Sequence, residues 1–277
     1  MVRLAIYSFA LMMDTILSSV FFVCMVRLAD MQASALAVAS FMSVWAIAYM
    51  IASLTAGGLV TKRNAGWILV GSCVVSTVVS AGYVLIPGMA AMYLLGIVQG
   101  CATAFFFTPF QFFMKLLDEN QKKSITHSTG LYTFSWSMGF ALGPFIAGFL
   151  WVHFGWQSCH LVNGLLAVIM ACGIVRLKRF AEAAPTVQAA ETPVADRYAE
   201  MPDLAWMAWV FSGLGCAIMA LVRSVFPSSA AVFDISKPGQ GTTLLILSAT
   251  QALVGLSLGR GKTWMYRPMP IILFGLC

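Results

Sequence analysis

The chain has 277 residues, 60% hydrophobic and 9% charged, with a mean hydropathy of +0.88 and a formal charge of +6. A water-soluble domain of this size cannot keep so apolar a composition off its surface, so soluble function classes are excluded. Its apolar residues form continuous runs rather than alternating ones, which excludes a β-barrel and leaves an all-α, polytopic membrane bundle.

A bilayer core about 30 Å thick takes ~20 apolar residues per helical span. Runs of that kind predict helices over residues 4–26, 34–60, 66–86, 89–114, 126–151, 157–175, 204–226 and 242–258. A ninth run starts at Pro270 and stops at Cys277, too short to cross, so the chain reads as about eight spans plus a truncated ninth, a fragment of a longer protein. The first run follows Arg3 as a signal peptide would, but it lacks a small-residue cleavage site and is read as a retained helix. The seven cysteines lie in or beside apolar runs with no CxxC and no adjacent histidine. They are expected to be packing residues, with no metal and no cofactor.

With the N-terminus in the cytoplasm, Arg27, Arg223 and Lys237 fall on the outer side and the rest of the 16 basic residues on the inner side. That bias orients the chain in a cytoplasmic (inner) membrane, and basic loops facing anionic lipid account for the positive charge without a nucleic-acid partner. Residues 180–203 are rich in Ala, Pro, Glu and Thr and hold half of the ten acids, which predicts a cytoplasmic linker. The expected organisation is a six-helix half over 1–179, that linker, and the start of a second half over 204–277, with two helices and a stub. Arg27 and Trp67 find counterparts in Arg223 and Trp264, and Gly58 and Arg63 in Gly255 and Arg260, as parallel repeats would place them.

The most specific local pattern is in the fifth helix. Ser135, Gly139, Gly143 and Ala147 are each four apart, a small-residue stripe that admits a neighbouring helix at close range, and Pro144 interrupts the backbone hydrogen bonding beside it. The longer spacing, Gly130, Gly139, Gly143, Pro144, Ala147 and Gly148, resembles the helix 5 motif of major facilitator superfamily (MFS) antiporters, with Ala147 in place of one glycine. Gly155-Trp156 followed by Asn163 to Ala167 is similar to that family's start of helix 6. Gln99-Gly100 with Ala102 and Ala104 resembles its helix 4 motif, and Gly58 to Arg63 its 2–3 loop. Two departures accompany these matches: Gly96 stands where helix 4 usually has an arginine, and Thr61 or Lys62 where the loop usually has an acid.

The resemblance implies an MFS-type bundle acting as a secondary active transporter of a small solute by alternating access, with antiport or export as the mode and a proton or another ion as coupling partner. Asp14 is the one acid inside a predicted span, where a carboxyl group is costly and therefore expected to serve a pathway. It is the candidate coupling residue, with a packing role as the alternative. Gln99, Trp136, Arg223 and Gln251 are candidate pathway residues. Arg27 and Arg223 are placed near outer helix ends, where long side chains snorkel to the interface or flank a cavity that meets anionic solute groups. Gly58, Lys62 and Arg63 are the candidate loop and gating residues. His127, His153 and His160 are placed at interfaces, and without paired membrane acids or HExxH no enzymatic constellation is expected. A non-transporting or regulatory membrane protein built on one MFS half is the alternative function.

Overall fold

Backbone polar groups have no water to bond with in lipid, so each spanning run has to close its hydrogen bonds within itself. A computed structural model of the protein describes residues 2–61, 63–120, 125–182 and 205–258. The described residues form eight α-helices: α1 (Val2–Asp30), α2 (Ala35–Leu59), α3 (Ala65–Leu85), α4 (Met89–Asn120), α5 (Ile125–Phe154), α6 (Trp156–Glu182), α7 (Ala205–Val232) and α8 (Lys237–Leu258). Seven are long and apolar enough to cross a membrane, making this an integral membrane protein. The helix outside that set is α8, whose length carries Gln240, Thr242, Thr243, Ser248, Thr250 and Gln251.

Helix number and order follow the apolar runs, but several ends do not. α1 continues to Asp30 because Arg27, expected to mark a boundary, lies inside the helix with its guanidinium 3.5 Å over the ring of Trp156. α7 runs through Pro227 to Val232 instead of stopping before the proline. α8 starts at Lys237 rather than Thr242, because Pro238 sits in the first turn, where its missing N–H is not needed, and Ser236 Oγ accepts from the Gly239 N–H at 3.3 Å. α6 extends to Glu182, so the first residues of the expected linker are helical. The remainder of that linker, the ninth run, Lys62, Trp264 and Arg260 lie outside the described residues.

The repeat register also changes. α1 ends within a turn of Arg27, whereas α7 continues more than two turns past Arg223. The two arginines therefore occupy different depths and are not matched positions.

α1 is the axis of the bundle: 89% of its most apolar stretch is buried, and it packs against α5 and α6 on one side and α2, α4 and α7 on the other. α5 is held between α1 and α8, α3 between α4 and α6, and α2 packs on α4 and α7. Helices in lipid associate through close packing rather than through expulsion of water, and small residues permit it. A side-chain carbon at Gly139 would collide with the Leu11 carbonyl and Asp14, and one at Gly143 with Ser18 and the Thr15 carbonyl. The Ser18 hydroxyl adds a bond to the Gly139 carbonyl at 3.2 Å. The expected stripe is thus the seam between α5 and α1, completed by buried Ser135 and by Ala147 against Phe22, Val23 and Val26.

The other side of α5 meets α8. A side-chain carbon at Gly148 would lie 2.6 Å from the Lys237 carbonyl oxygen, and one at Gly241 would lie 2.5 Å from the Pro144 carbonyl oxygen. Two backbones therefore meet directly at this crossing, through one glycine on each helix.

Candidate functional site

α1, α2, α4, α5, α7 and α8 leave a cavity of about 440 Å³ between them. α1 contributes Asp14, Leu17 and Phe21, α2 contributes Met42, Trp45 and Tyr49, and α4 contributes Thr103 and Phe107. Tyr132, Trp136 and Phe140 come from α5, and Arg223 and Gln251 face them from α7 and α8. This size and largely aromatic lining with a few polar groups is the pattern of a small-molecule site.

The α2 wall is set by α4. A side-chain carbon at Gly100 would lie 2.6 Å from the Trp45 carbonyl oxygen, and one at Gly96 would lie 3.0 Å from the Phe41 ring. Phe41 therefore fills the space opened by the glycine that stands where an arginine is usual, and it packs edge-on against Phe21 and Tyr93. Behind it Trp45 stacks on Tyr49 with ring centroids 5.1 Å apart, and Phe21 meets the Trp45 ring edge-on at 4.9 Å.

Two charged residues line the cavity, and they differ in accessibility. Asp14 is 0% exposed, and neither carboxyl oxygen has a hydrogen-bond partner. It sits on the α1–α5 seam beside Gly139, at the edge of the cavity. Arg223 is partly accessible: its Nη2 donates to Ser248 Oγ at 2.8 Å, and its guanidinium carbon lies 4.4 Å from the centre of the Phe140 ring. Arg223 thus does not snorkel to the outer interface. The continuation of α7 past Pro227 places it within the span, facing α5 and α8.

Of the expected pathway residues, Asp14, Trp136, Arg223 and Gln251 line this one cavity. Gln99 does not. It is buried between α4 and α3, its Nε2 donating to Ser76 Oγ at 3.4 Å while its backbone carbonyl accepts from Thr103 Oγ1. The helix 5 residues Ser135, Gly139, Gly143, Pro144, Ala147 and Gly148 belong to the helix seams rather than to the surface of this cavity, and Gly130 is buried without lining it. Gly58 ends α2 with open space where a side chain would go, and Arg63 is exposed. Asn64, which the sequence did not single out, organises that loop: its Oδ1 accepts from the Thr61 N–H at 2.7 Å and its Nδ2 donates to the Leu59 carbonyl at 2.8 Å. His160 is not interfacial. It is 1% exposed and stacked on Tyr83 at 4.7 Å, because α6 starts at Trp156 and turns that face toward α3.

The bundle end carrying Arg27 and Lys237 is fastened by side chains. Lys237 Nζ lies 2.6 Å from Asp30 Oδ1 and 5.2 Å from the centre of the Trp151 ring, joining α8 to α1 and α5. Next to Arg223 a second void of about 20 Å³ lies among Phe22, Met25, Pro144 and Leu244, and a cleft of about 330 Å³ lies beside Asp30 and Lys237 at the end of the bundle.

A sequence model of the Major Facilitator Superfamily matches residues 4–277. The chain belongs to this superfamily. The fold agrees: a solved structure, described as the crystal structure of nucleoside transporter NupG, matches with a TM-score of 0.65 at 13% identity. That match covers 90% of this chain and 64% of the NupG chain, so this superfamily member spans less than two thirds of that neighbour's length. Comparison with curated proteins gives no match.

Proposed function

We propose that the chain supplies the solute pathway of a secondary active transporter that works by alternating access. The observation that carries this reading is a single cavity walled by α1, α2, α4 and α5 of one half and by α7 and α8 of the other, in a bundle fastened at the end carrying Lys237 by the α5–α8 crossing and the Asp30–Lys237 pair. Solute reaching the cavity from the inner side leaves outward when α8 parts from α5 and α1, the rocking of halves that such folds use. The small-residue contacts at Gly148 and Gly241 suit this motion, because they are dispersion contacts without interlocking side chains to extract. In this reading the N-terminus is cytoplasmic, the membrane is the inner one, residues 183–204 join the halves, and the helix 5 motif favours antiport or export.

Asp14 is the coupling residue in this scheme. A buried carboxyl without a hydrogen-bond donor is costly to keep charged, so the state described here suits the protonated form, and the parting of the halves at the cavity that Asp14 lines exposes it for exchange.

The test is side-specific labelling of Cys216, a cavity-lining thiol on α7, in liposomes holding a variant in which it is the only cysteine. A membrane-impermeant maleimide should reach it rapidly from the inner side and slowly but completely from the outer side. Labelling from one side alone, whatever the duration, would exclude alternation.

A further inference from the structure

We infer that the cavity selects flat aromatic solutes carrying a carboxylate or similarly anionic oxygen, and that Arg223 is the residue that recognises the anion. This rests on the reading of the cavity as the solute site.

The two charged groups at the cavity differ in what a solute can reach. Asp14 lines the cavity but is fully buried, and its oxygens have no donor to support a negative charge. Arg223 lies at the accessible surface, bonded to a neutral hydroxyl and resting on a neutral ring, with no acid within ion-pair distance among the described residues. Its guanidinium is planar and offers five N–H donors, of which the Ser248 contact uses one, leaving donors for a bidentate carboxylate pair. A cationic solute would meet this guanidinium with no accessible anion to offset it, in a space with little polar surface to screen the repulsion. The rings of Trp45, Tyr49, Tyr132 and Trp136, all partly exposed, also line the cavity. These faces hold a planar apolar body, while Arg223 and the Gln251 amide hold its oxygens. Phe140 lies against the guanidinium, with its ring centre 4.4 Å from the central carbon, and covers that part of it. Arg223 lies on α7 and the ring faces on α2 and α5, so such a solute touches both halves at once.

Equilibrium dialysis of the purified full chain in detergent tests this with three probes of one shape: 2-naphthoate, 2-naphthylmethanol and 2-naphthylmethylammonium. A charged hydrogen bond to Arg223 should make 2-naphthoate bind about tenfold or more tighter than the alcohol, with the ammonium weakest. Arg223→Gln should abolish the preference for naphthoate over the alcohol, and Arg223→Lys should keep part of it, which separates charge recognition from a loss of folding. Ala220 lines the cavity from α7, and Ala220→Trp, which puts an indole into that space, should abolish binding of all three. Equal or tighter binding of the ammonium, or an unchanged preference in Arg223→Gln, overturns anion selection while leaving the cavity as the site, provided Ala220→Trp still blocks binding. Absence of binding by every probe, or binding indifferent to Ala220→Trp, overturns the cavity reading and this inference together.

Discussion

Two faces of α5 hold the bundle together by different means. One touches α1 and α8 through glycine and carbonyl, and at the end carrying Lys237 the pair with Asp30 and the ring of Trp151 fasten the rim. The neighbouring face carries aromatic side chains that, with those of α1, α2 and α4, enclose a cavity of about 440 Å³. Lipid gives helices little reason to associate beyond how closely they fit, so the spacing of small and large residues along α5 determines where the bundle is closed and where it is hollow. Ser135, Gly139, Gly143 and Ala147 form the closed seam, and Tyr132, Trp136 and Phe140 on a neighbouring face of the same helix form the wall.

The strongest way to break this contrast is to put bulk into the seam. Gly143→Leu would drive its side chain into Ser18 and the Thr15 carbonyl, and overpacking of this kind costs about 1–3 kcal/mol or more. Because the obstruction is backbone, the expected outcome is loss of monodisperse protein on size-exclusion chromatography. A protein that stays folded with its melting temperature within a degree of the parent would refute the seam.

Filling the hollow should do the opposite. Ala220→Trp should leave the melting temperature nearly unchanged, because the space is already present, and should abolish solute flux in liposomes. A variant that melts early would show that the cavity is smaller or more rigid than described here.

The rim offers a smaller perturbation. Lys237→Glu places like charges at the Asp30 contact, and exposed pairs contribute about 0.2–1 kcal/mol, so outer-side labelling of Cys216 should rise by roughly 1.4- to fivefold. The exchanged pair, Asp30→Lys with Lys237→Asp, should return labelling toward the parental rate, whereas a single mutant that behaves like the parent would remove the pair from the closure.

Smallest of all, Gly58→Ala places a methyl group in open space. Alanine's higher helix propensity adds at most about 1 kcal/mol of stability near this helix end, so the melting temperature should hold or rise slightly, and a fall would show a contact at this end of α2.

Features with a local cause were readable in the sequence: spans from apolar length, the α1–α5 seam from four-residue spacing, and the special position of Asp14 from the rarity of acids at membrane depth. Features that depend on where a helix turns or stops were not. Arg223 was placed near an interface because Pro227 was read as a helix end, yet packing on neighbouring helices lets α7 continue past it. Gln99 and Gln251 look equivalent as polar residues in apolar runs, but one faces α3 and the other the cavity, and a membrane helix that is apolar on every side gives little periodic signal to tell them apart. Trp45, Tyr49 and Tyr132 went unnoticed for the same reason, since a chain with 20 Phe, 8 Trp and 7 Tyr gives no single aromatic residue prominence. The Asp30–Lys237 pair joins residues far apart in sequence and carries no local signature.

The contact of Gly100 with the backbone of Trp45 has a consequence for how this pathway can diversify. Because α2 is positioned by main chain resting on main chain, the width of that wall does not depend on which side chains Trp45 and Tyr49 carry. Residues that touch solute can then be exchanged while the frame behind them keeps its dimensions, so new solute preferences are open to single substitutions on α2. The same freedom is denied at Gly100 itself, where a methyl group would move the whole wall.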